Sequence, residues 1–336
     1  MEVLLGKTLF ELQQVALAIG LPKFAGKQLA EWLYVRRATS FDQMTNISLK
    51  GREVLKTNYS IGRYDPVREA ISKDGTKKYL FAVGEQFVES VYIPEDDRAT
   101  LCVSTQAGCK MGCKFCMTGT LGFHGNLSAA DILNQIFYFE DLSNLVFMGE
   151  GEPMDNLDNV LRVLEIMTSD YGCAWSPKRI TVSTVGIPAM KRFLDESECH
   201  LAVSMHNPFS VERATIMPAE KMMSITDVVA LLKQYDWSHQ RRVSFEYICW
   251  AGENDTPRHA KELLRLLKGL NCRINLIRFH AGVENIKNER RFPASDERQM
   301  EWLRDYLTDN GLTTTIRRSR GEDILAACGM LVNSLQ

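Results

Sequence analysis

Two hydrophobic periods divide the chain. Over residues 7 to 60, apolar positions recur three and four apart in TLFELQQVALAIG, FAGKQLAEWLYVRR and SLKGREVLKTNYS, with Gly or Pro between them, a spacing that predicts three short helices. From residue 66 the period becomes two. PVREAISK, TKKYLFAV and QFVESVYI alternate apolar and polar residues, and DG at 74–75 and GE at 84–85 separate them; turn signals between alternating runs predict an antiparallel meander. After PEDDR (94–98), which reads as an acidic hinge, the strand-like segments are ATLCVST, NLVFMGE, RITVSTVG, HLAVSMH, RVSFEYICW and RINLIRFH. Between them lie helix-like segments such as SAADILNQIFYFE, with its Ser-x-x-Asp capping box, NLDNVLRVLEIM, SITDVVALLKQY and HAKELLRLLKGL. Six βα units in succession predict an α/β fold whose parallel sheet curls into a partial or complete barrel. The expected organisation is a helical accessory module over 1–62, a β-meander and hinge over 63–97, the barrel over 98–310, and a basic strand with a cysteine-bearing tail over 311–336.

Composition narrows this picture little. No apolar run reaches the roughly 18 residues of a membrane span, and the opening MEVLLGKTLFELQQ has an acid at position 2 and no small-residue cleavage site. The expected location is the cytoplasm, with no membrane contact. Nine cysteines, an odd number in a chain of this size, favour metal or thiol chemistry over a secreted disulfide scaffold. The formal net charge of -2 carries no global nucleic-acid signal, although residues 1 to 93 hold thirteen Lys and Arg against ten Asp and Glu, and IRRSRG (316–321) is a second basic knot. Such unevenness is ordinarily a solvated face.

Parallel barrels bind ligands at the C-terminal ends of their strands. The chemistry-bearing residues fall there. GCKMGCKFCMTG follows strand one with Cys109, Cys113 and Cys116; Gly149, Glu150, Gly151 and Glu152 end strand two; Ser183 and Thr184 end strand three; Ser204 and His206 end strand four; Glu246 is late in strand five; His280 ends strand six. Each alone reads as a cap, a turn or a satisfied polar group, but their shared placement points to one site. A C-x3-C-x2-C loop can wrap three corners of a [4Fe-4S] cube, leaving one iron open to a substrate. A zinc site would need a second pair, Cys109 with Cys102 or His124, in an irregular arrangement.

The same loop after the first strand of a (β/α) barrel resembles the radical S-adenosylmethionine enzymes. FVESVYIP, RATLCVSTQAGCKMGCKFCMTG, MGEGEPMDN, KRITVSTVGIP, LAVSMH, RVSFEY, INLIRFH and RGEDILAACG resemble, in order and over nearly the whole chain, the RlmN/Cfr family of radical S-adenosylmethionine RNA adenine methyltransferases, closer to the RlmN branch through the retained GEP. The resemblance implies a partial (β/α)6 radical S-adenosylmethionine barrel, with Cys109, Cys113 and Cys116 holding one [4Fe-4S] cluster. It further implies that Gly151, Glu152, Ser183, Ser204, Met205, His206 and His280 surround S-adenosylmethionine, whose amino and carboxylate groups take the open iron. The residue matching Cys328 carries a methyl group, the one matching Cys102 resolves a covalent intermediate, and Glu89 is the matched proton acceptor.

The implied reaction methylates C2 of adenine 2503 in 23S rRNA, and an adenine of transfer RNA besides. Electron-poor C2 does not attack an electrophilic methyl, so one S-adenosylmethionine methylates Cys328 and a second yields the 5'-deoxyadenosyl radical that activates that methyl. Cys102 then releases the product by forming a disulfide with Cys328. The implied partners are RNA and a reducing electron donor of the flavodoxin or ferredoxin type, and the expected state is a monomer. Arg317, Arg318 and Arg320, with the helical module and meander, are the expected phosphate contacts. Two positions depart from the family pattern: Glu150 replaces the usual Met, placing a carboxylate beside the expected sulfonium, and His280 stands where many members have Asn. Cys173, Cys199, Cys249 and Cys272 read as structural. The alternatives are C8 methylation of the Cfr kind, a paralogue with another RNA target, and a zinc-stabilised RNA-binding protein without catalysis.

Overall fold

The structure, a computed structural model, describes residues 1–238, 241–279, 292–327 and 329–331; His280 and Cys328 lie outside the described residues. The helical module opens with β1 (Glu2–Val3) and α1 (Leu9–Ala18), which starts on a Thr8–Glu11 capping box. α2 (Ala25–Ala30) runs into a π-helical turn, Glu31–Val35, that buries Leu33 and Tyr34. α3 (Leu49–Asn58) leads into β2 (Tyr59–Ser60), which pairs with β1.

β3 (Arg68–Ile71), β4 (Lys77–Val83) and β5 (Gln86–Glu95) form the expected meander. The segment expected as a hinge is instead a tight turn. β5 pairs antiparallel with β6 (Arg98–Cys102), Glu95 facing Arg98, so only Asp96 and Asp97 lie between them. Their charge reflects solvent exposure at a hairpin tip, and the meander and barrel share one sheet. A second hairpin, β7 (Gln106–Gly108) with β8 (Phe123–Asn126), frames the cysteine loop.

The remainder alternates α4 (Ala129–Phe137), β9 (Asn144–Phe147), α5 (Leu157–Thr168), β10 (Ile180–Thr184), α6 (Met190–Glu196) and β11 (His200–Ser204). It continues through α7 (Ser210–Ile216), α8 (Ile225–Leu232), β12 (Val243–Cys249), α9 (Pro257–Leu267), β13 (Cys272–Arg278), α10 (Glu297–Asp309) and β14 (Thr314–Ile316). The ten-stranded sheet runs β14-β13-β12-β11-β10-β9-β6-β5-β4-β3. In that sheet β6 and β9 to β14 are mutually parallel, and among the described residues β14 and β3 are edges, so the barrel is partial. Its strands bury Phe147, Val182, Val203, Phe245 and Leu276 almost completely, as expected where helices cover a parallel sheet.

Candidate active site

One cavity of about 590 Å³ occupies the mouth of the sheet, at the strands' C-terminal ends. Cys109, Cys113 and Cys116 share its wall with Gly151, Glu152, Ser183, Ser204 and His206, and Cys102 enters from the end of β6. Met205 is fully buried in the core and is not among the lining residues. Glu89 is also off the lining, although it shares a face of β5 with Val91 and Ile93, which line it.

The cysteine loop is pinned at several points. Cys109 N–H donates to the Gly122 carbonyl at 2.9 Å and Lys114 N–H to the Ile216 carbonyl at 2.9 Å. Gly108 has φ +70°, and a Cβ there would lie 1.9 Å from the Gly122 oxygen, so the hairpin closes over the loop only with glycine. Burial pushes the Cys109 thiol up to about 12, and burial and the neighbouring thiols raise Cys113 as well; such a donor set needs a strongly positive centre to ionise. Among the described residues no three His, Cys, Asp or Glu side chains converge on a point that would hold a single ion. Three thiols on one wall, spaced C-x3-C-x2-C, suit three corners of an iron–sulfur cube, whereas a structural zinc takes four tetrahedral ligands. His124 stays out of the site, exposed and bonded to the Leu121 carbonyl at 2.9 Å. The donor set therefore fits the cluster.

The strand ends opposite are fixed by buried polar groups. Glu152 accepts Val185 N–H at 2.8 Å and Met154 N–H at 3.1 Å, and its own N–H donates to Gln106 Oε1 at 2.9 Å. Burial pushes its carboxyl up to about 7. Gly151, at φ +93°, leaves room for Gln106, whose Cβ would lie 2.5 Å from an added methyl. Ser183 Oγ donates to the Phe147 carbonyl at 2.8 Å. Arg213 is the largest organiser of this side, and nothing in the sequence pattern singles it out. Fully buried, it donates from Nε to the Met205 carbonyl at 3.0 Å and from Nη2 to the Val185 and Ser204 carbonyls at 2.6 and 2.8 Å, and it pairs with Glu220.

His206 has a defined tautomer. Its Nδ1 accepts Ile248 N–H at 3.1 Å, so the neutral ring carries its proton on Nε2. Burial, then the charge of Arg213, pushes its pKa down to about 3 from 6.5. The unfolded chain therefore binds a proton that the native ring refuses, and stability falls as pH drops from about 6.5 towards 3. At pH 5 the expected loss is roughly 2 kcal/mol relative to pH 7. Urea unfolding at the two pH values should show a correspondingly smaller loss for His206→Gln.

Glu150 turns away from the cavity. Its side chain is buried and off the cavity lining, turned back to accept Glu89 N–H at 2.8 Å and Gly108 N–H at 3.3 Å. Burial pushes its pKa up to about 8, with backbone N–H groups pulling the other way, so near pH 7 it is mostly neutral. Glu150 thus ties the β5 backbone to the cysteine loop while adding little charge. Below it, Lys78 and Glu89 form an ion pair at 3.0 Å with both side chains fully buried.

Arg317, Arg318 and Arg320 also line the cavity. Arg317 Nε lies 3.4 Å from Glu246 Oε2, while Asn275 holds Glu246 Oε1 at 2.8 Å, and Arg320 reaches Glu95 at 3.9 Å. The basic knot therefore forms a rim to the cavity. The segment around residue 328 closes the remaining side: Ala326, Ala327, Gly329 and Leu331 line the cavity, and Ala326 and Leu331 pack with Val91 against Cys102. Cys199 and Cys249 are buried, and Cys173 and Cys272 are half-buried; none of the four lines the cavity.

The chain matches known proteins along its length. Residues 103–267 match the Radical SAM superfamily, and residues 3–61 match the ribosomal RNA large subunit methyltransferase N-terminal domain. A probable dual-specificity RNA methyltransferase RlmN from Bacteroides thetaiotaomicron is 58% identical, covering 99% of this chain and 96% of its own. The dual-specificity RNA methyltransferase RlmN of Geobacter sulfurreducens is 40% identical over 98% of this chain and 92% of its own. Among solved structures, a radical SAM methyltransferase from Sphaerobacter thermophilus superposes with a TM-score of 0.89 at 35% identity, covering 98% of this chain and 99% of that one. With three clustered cysteines at the mouth of a parallel sheet and relatives matched almost end to end, the chain belongs to the RlmN family of radical SAM RNA methyltransferases.

Proposed function

We propose that the protein methylates C2 of adenine 2503 in 23S rRNA, and an adenine of transfer RNA, with Cys328 as methyl carrier and Cys102 as resolving thiol. One observation supports this above the others. The residues on both sides of position 328 pack onto the wall that holds Cys102 and share the cavity with the three loop cysteines, and Lys78, the partner of Glu89, donates to the Leu325 carbonyl. A [4Fe-4S] cluster on Cys109, Cys113 and Cys116 would supply one electron to bound S-adenosylmethionine. Gly151, Glu152, Ser183, Ser204 and His206 would orient that molecule, and His280 is expected to join them. The His206 Nε2 proton offers a donor to it, and Glu152, anchored by one backbone N–H on each oxygen, a fixed acceptor. Met205 contributes through its carbonyl, by way of Arg213. Once the RNA adduct has returned one electron to the centre that supplied it, Glu89 would take the ring proton. The Cys102 thiolate would then attack the Cys328 sulfur and break its bond to the transferred carbon, which takes a proton to become the methyl of the freed base, and the disulfide left behind must be reopened by a thiol or reduced electron donor. The rim arginines suit the phosphates of an unstacked RNA segment.

The test is nucleoside mass spectrometry of unmodified 23S rRNA fragments and transfer RNA after anaerobic incubation with cluster-loaded protein, S-adenosylmethionine and reductant. The expected product is 2-methyladenosine; 8-methyladenosine would overturn the C2 assignment. Cys102→Ala is expected to accumulate protein covalently joined to RNA. An active Cys102→Ala preparation without that adduct would end the two-thiol scheme.

A further inference from the structure

The segment leading into position 328 is held by one short stretch of the meander. Ser72 Oγ donates to Asp323 Oδ1 at 2.5 Å, and Lys73 N–H donates to Asp323 Oδ2 at 3.1 Å. Asp74 Oδ2 accepts Gly321 N–H at 3.0 Å, and Lys78 Nζ donates to the Leu325 carbonyl at 3.3 Å. The β3–β4 turn that supplies these groups is itself braced: Asp74 Oδ1 accepts Thr76 N–H at 2.9 Å, and Ser72 N–H donates to the Thr76 carbonyl at 2.8 Å. Burial raises the Asp74 pKa, but the Gly321 and Thr76 N–H groups outweigh it and hold the carboxyl at about 2.

The tail is shaped to fit. Ala326 N–H returns to the Gly321 carbonyl at 2.9 Å, and Leu325 N–H to the Glu322 carbonyl at 3.1 Å. Gly321 and Leu325 both take left-handed backbone angles, and a Cβ on Gly321 would lie 2.9 Å from Thr76 Cγ2. Beyond position 328 the cysteine loop takes over, Met117 N–H donating to the Gly329 carbonyl at 2.8 Å and Thr118 Oγ1 to the Leu331 carbonyl at 3.0 Å. An ordinary hairpin turn uses its Asp and Ser on its own backbone. Here they also reach a segment 247 to 251 positions away.

We propose that the β3–β4 turn is a positioning element for the thiol-bearing tail, with Ser72 and Asp74 acting through Asp323 and Gly321 to set where position 328 stands against the cavity. The proposal rests on the reading of Cys328 as methyl carrier. Its consequence is selective. Cluster assembly and reductive cleavage of S-adenosylmethionine depend on the loop and strand ends, whereas methyl loading and delivery to RNA depend on the tail's placement.

The experiment compares wild-type holoenzyme with Asp74→Ala, Asp323→Ala and Asp74→Asn. It measures iron per chain, 5'-deoxyadenosine formed with dithionite, methyl label on the Cys328 peptide, and kcat and KM for RNA. The Ala variants are expected to lose at least about tenfold in label loading and kcat, with KM, iron and 5'-deoxyadenosine within about twofold. Asp74→Asn, which keeps an acceptor oxygen, should recover most of the loss. Hydrogen exchange over 321–327 should quicken in the Ala variants while the barrel strands stay protected. Full loading and turnover in both Ala variants would overturn the proposal, as would loss of iron and 5'-deoxyadenosine in step with the label, which marks a general structural role. If wild-type protein takes no label at Cys328, the methyl-carrier reading fails instead, and unchanged exchange over 321–327 in the Ala variants would still refute the clamp on its own.

Discussion

Arg213→Met is expected to cost the fold about 4 kcal/mol and to weaken S-adenosylmethionine binding by at least about tenfold. The guanidinium satisfies the carbonyls of Val185, Ser204 and Met205 and faces Glu220. Methionine fills similar volume but offers no donor, so the Val185 and Ser204 carbonyls would lose the guanidinium, while the Met205 carbonyl would keep only Asn207 N–H and the Glu220 carboxylate only Ile225 N–H. Each orphaned acceptor costs about 1–3 kcal/mol where water cannot reach it, and relaxation of the loops recovers part of that sum. The loops that would relax carry Ser204 and His206, so ligand binding should suffer with stability. Lysine is no substitute, because an ammonium group cannot span three carbonyls in the guanidinium plane. Urea unfolding and equilibrium binding of S-adenosylmethionine check both parts; a variant within about 1 kcal/mol of wild type would show that these carbonyls find other donors.

Lys78→Met is expected to destabilise the protein by about 3–5 kcal/mol, the usual consequence of removing one member of a fully buried ion pair. Lys78 and Glu89 are both at 0% exposure and 3.0 Å apart, so the variant removes the cation that faces the buried carboxylate. The double variant Lys78→Met with Glu89→Leu should regain most of the stability, since no charge is then left unpaired. The activities should separate: neither variant is expected to methylate RNA normally, because one misplaces the proposed proton acceptor and the other deletes it. A double-mutant cycle by urea unfolding, read beside nucleoside mass spectrometry, distinguishes lost stability from lost proton transfer.

Much of the fold was legible because helices and parallel strands bury different periodic sets of residues. The segments from ATLCVST to RINLIRFH appear as consecutive parallel strands, and their polar ends gather at one mouth. The three loop cysteines were legible because glycines and close spacing leave them few other uses. Lys78 was not, since TKKYLFAV looks like a strand with a wet face. β4 buries Lys78, Tyr79, Leu80 and Phe81 in succession, because the tail covers the side that would otherwise meet solvent. PEDDR misled for a related reason: four charges suggest a linker, but a hairpin tip is equally solvated. Glu150 sits inside a motif otherwise associated with the ligand, and only its hydrogen bonds show that it faces the sheet. Arg213 gave no signal, as its acceptors are backbone atoms and have no sequence identity.

The long reach between the β3–β4 turn and the tail bears on how the protein is assembled. Contacts separated by about 250 positions are reached late in folding, because a large loop must close before any of them forms. The sheet, by contrast, grows through neighbouring strands. The expected order is that the barrel mouth and meander come together first and the tail docks afterwards on a surface already formed. A chain caught before that docking would present its cysteine loop with residues 321–327 not yet in place, so the approach to the cavity would be wider than the docked tail leaves it.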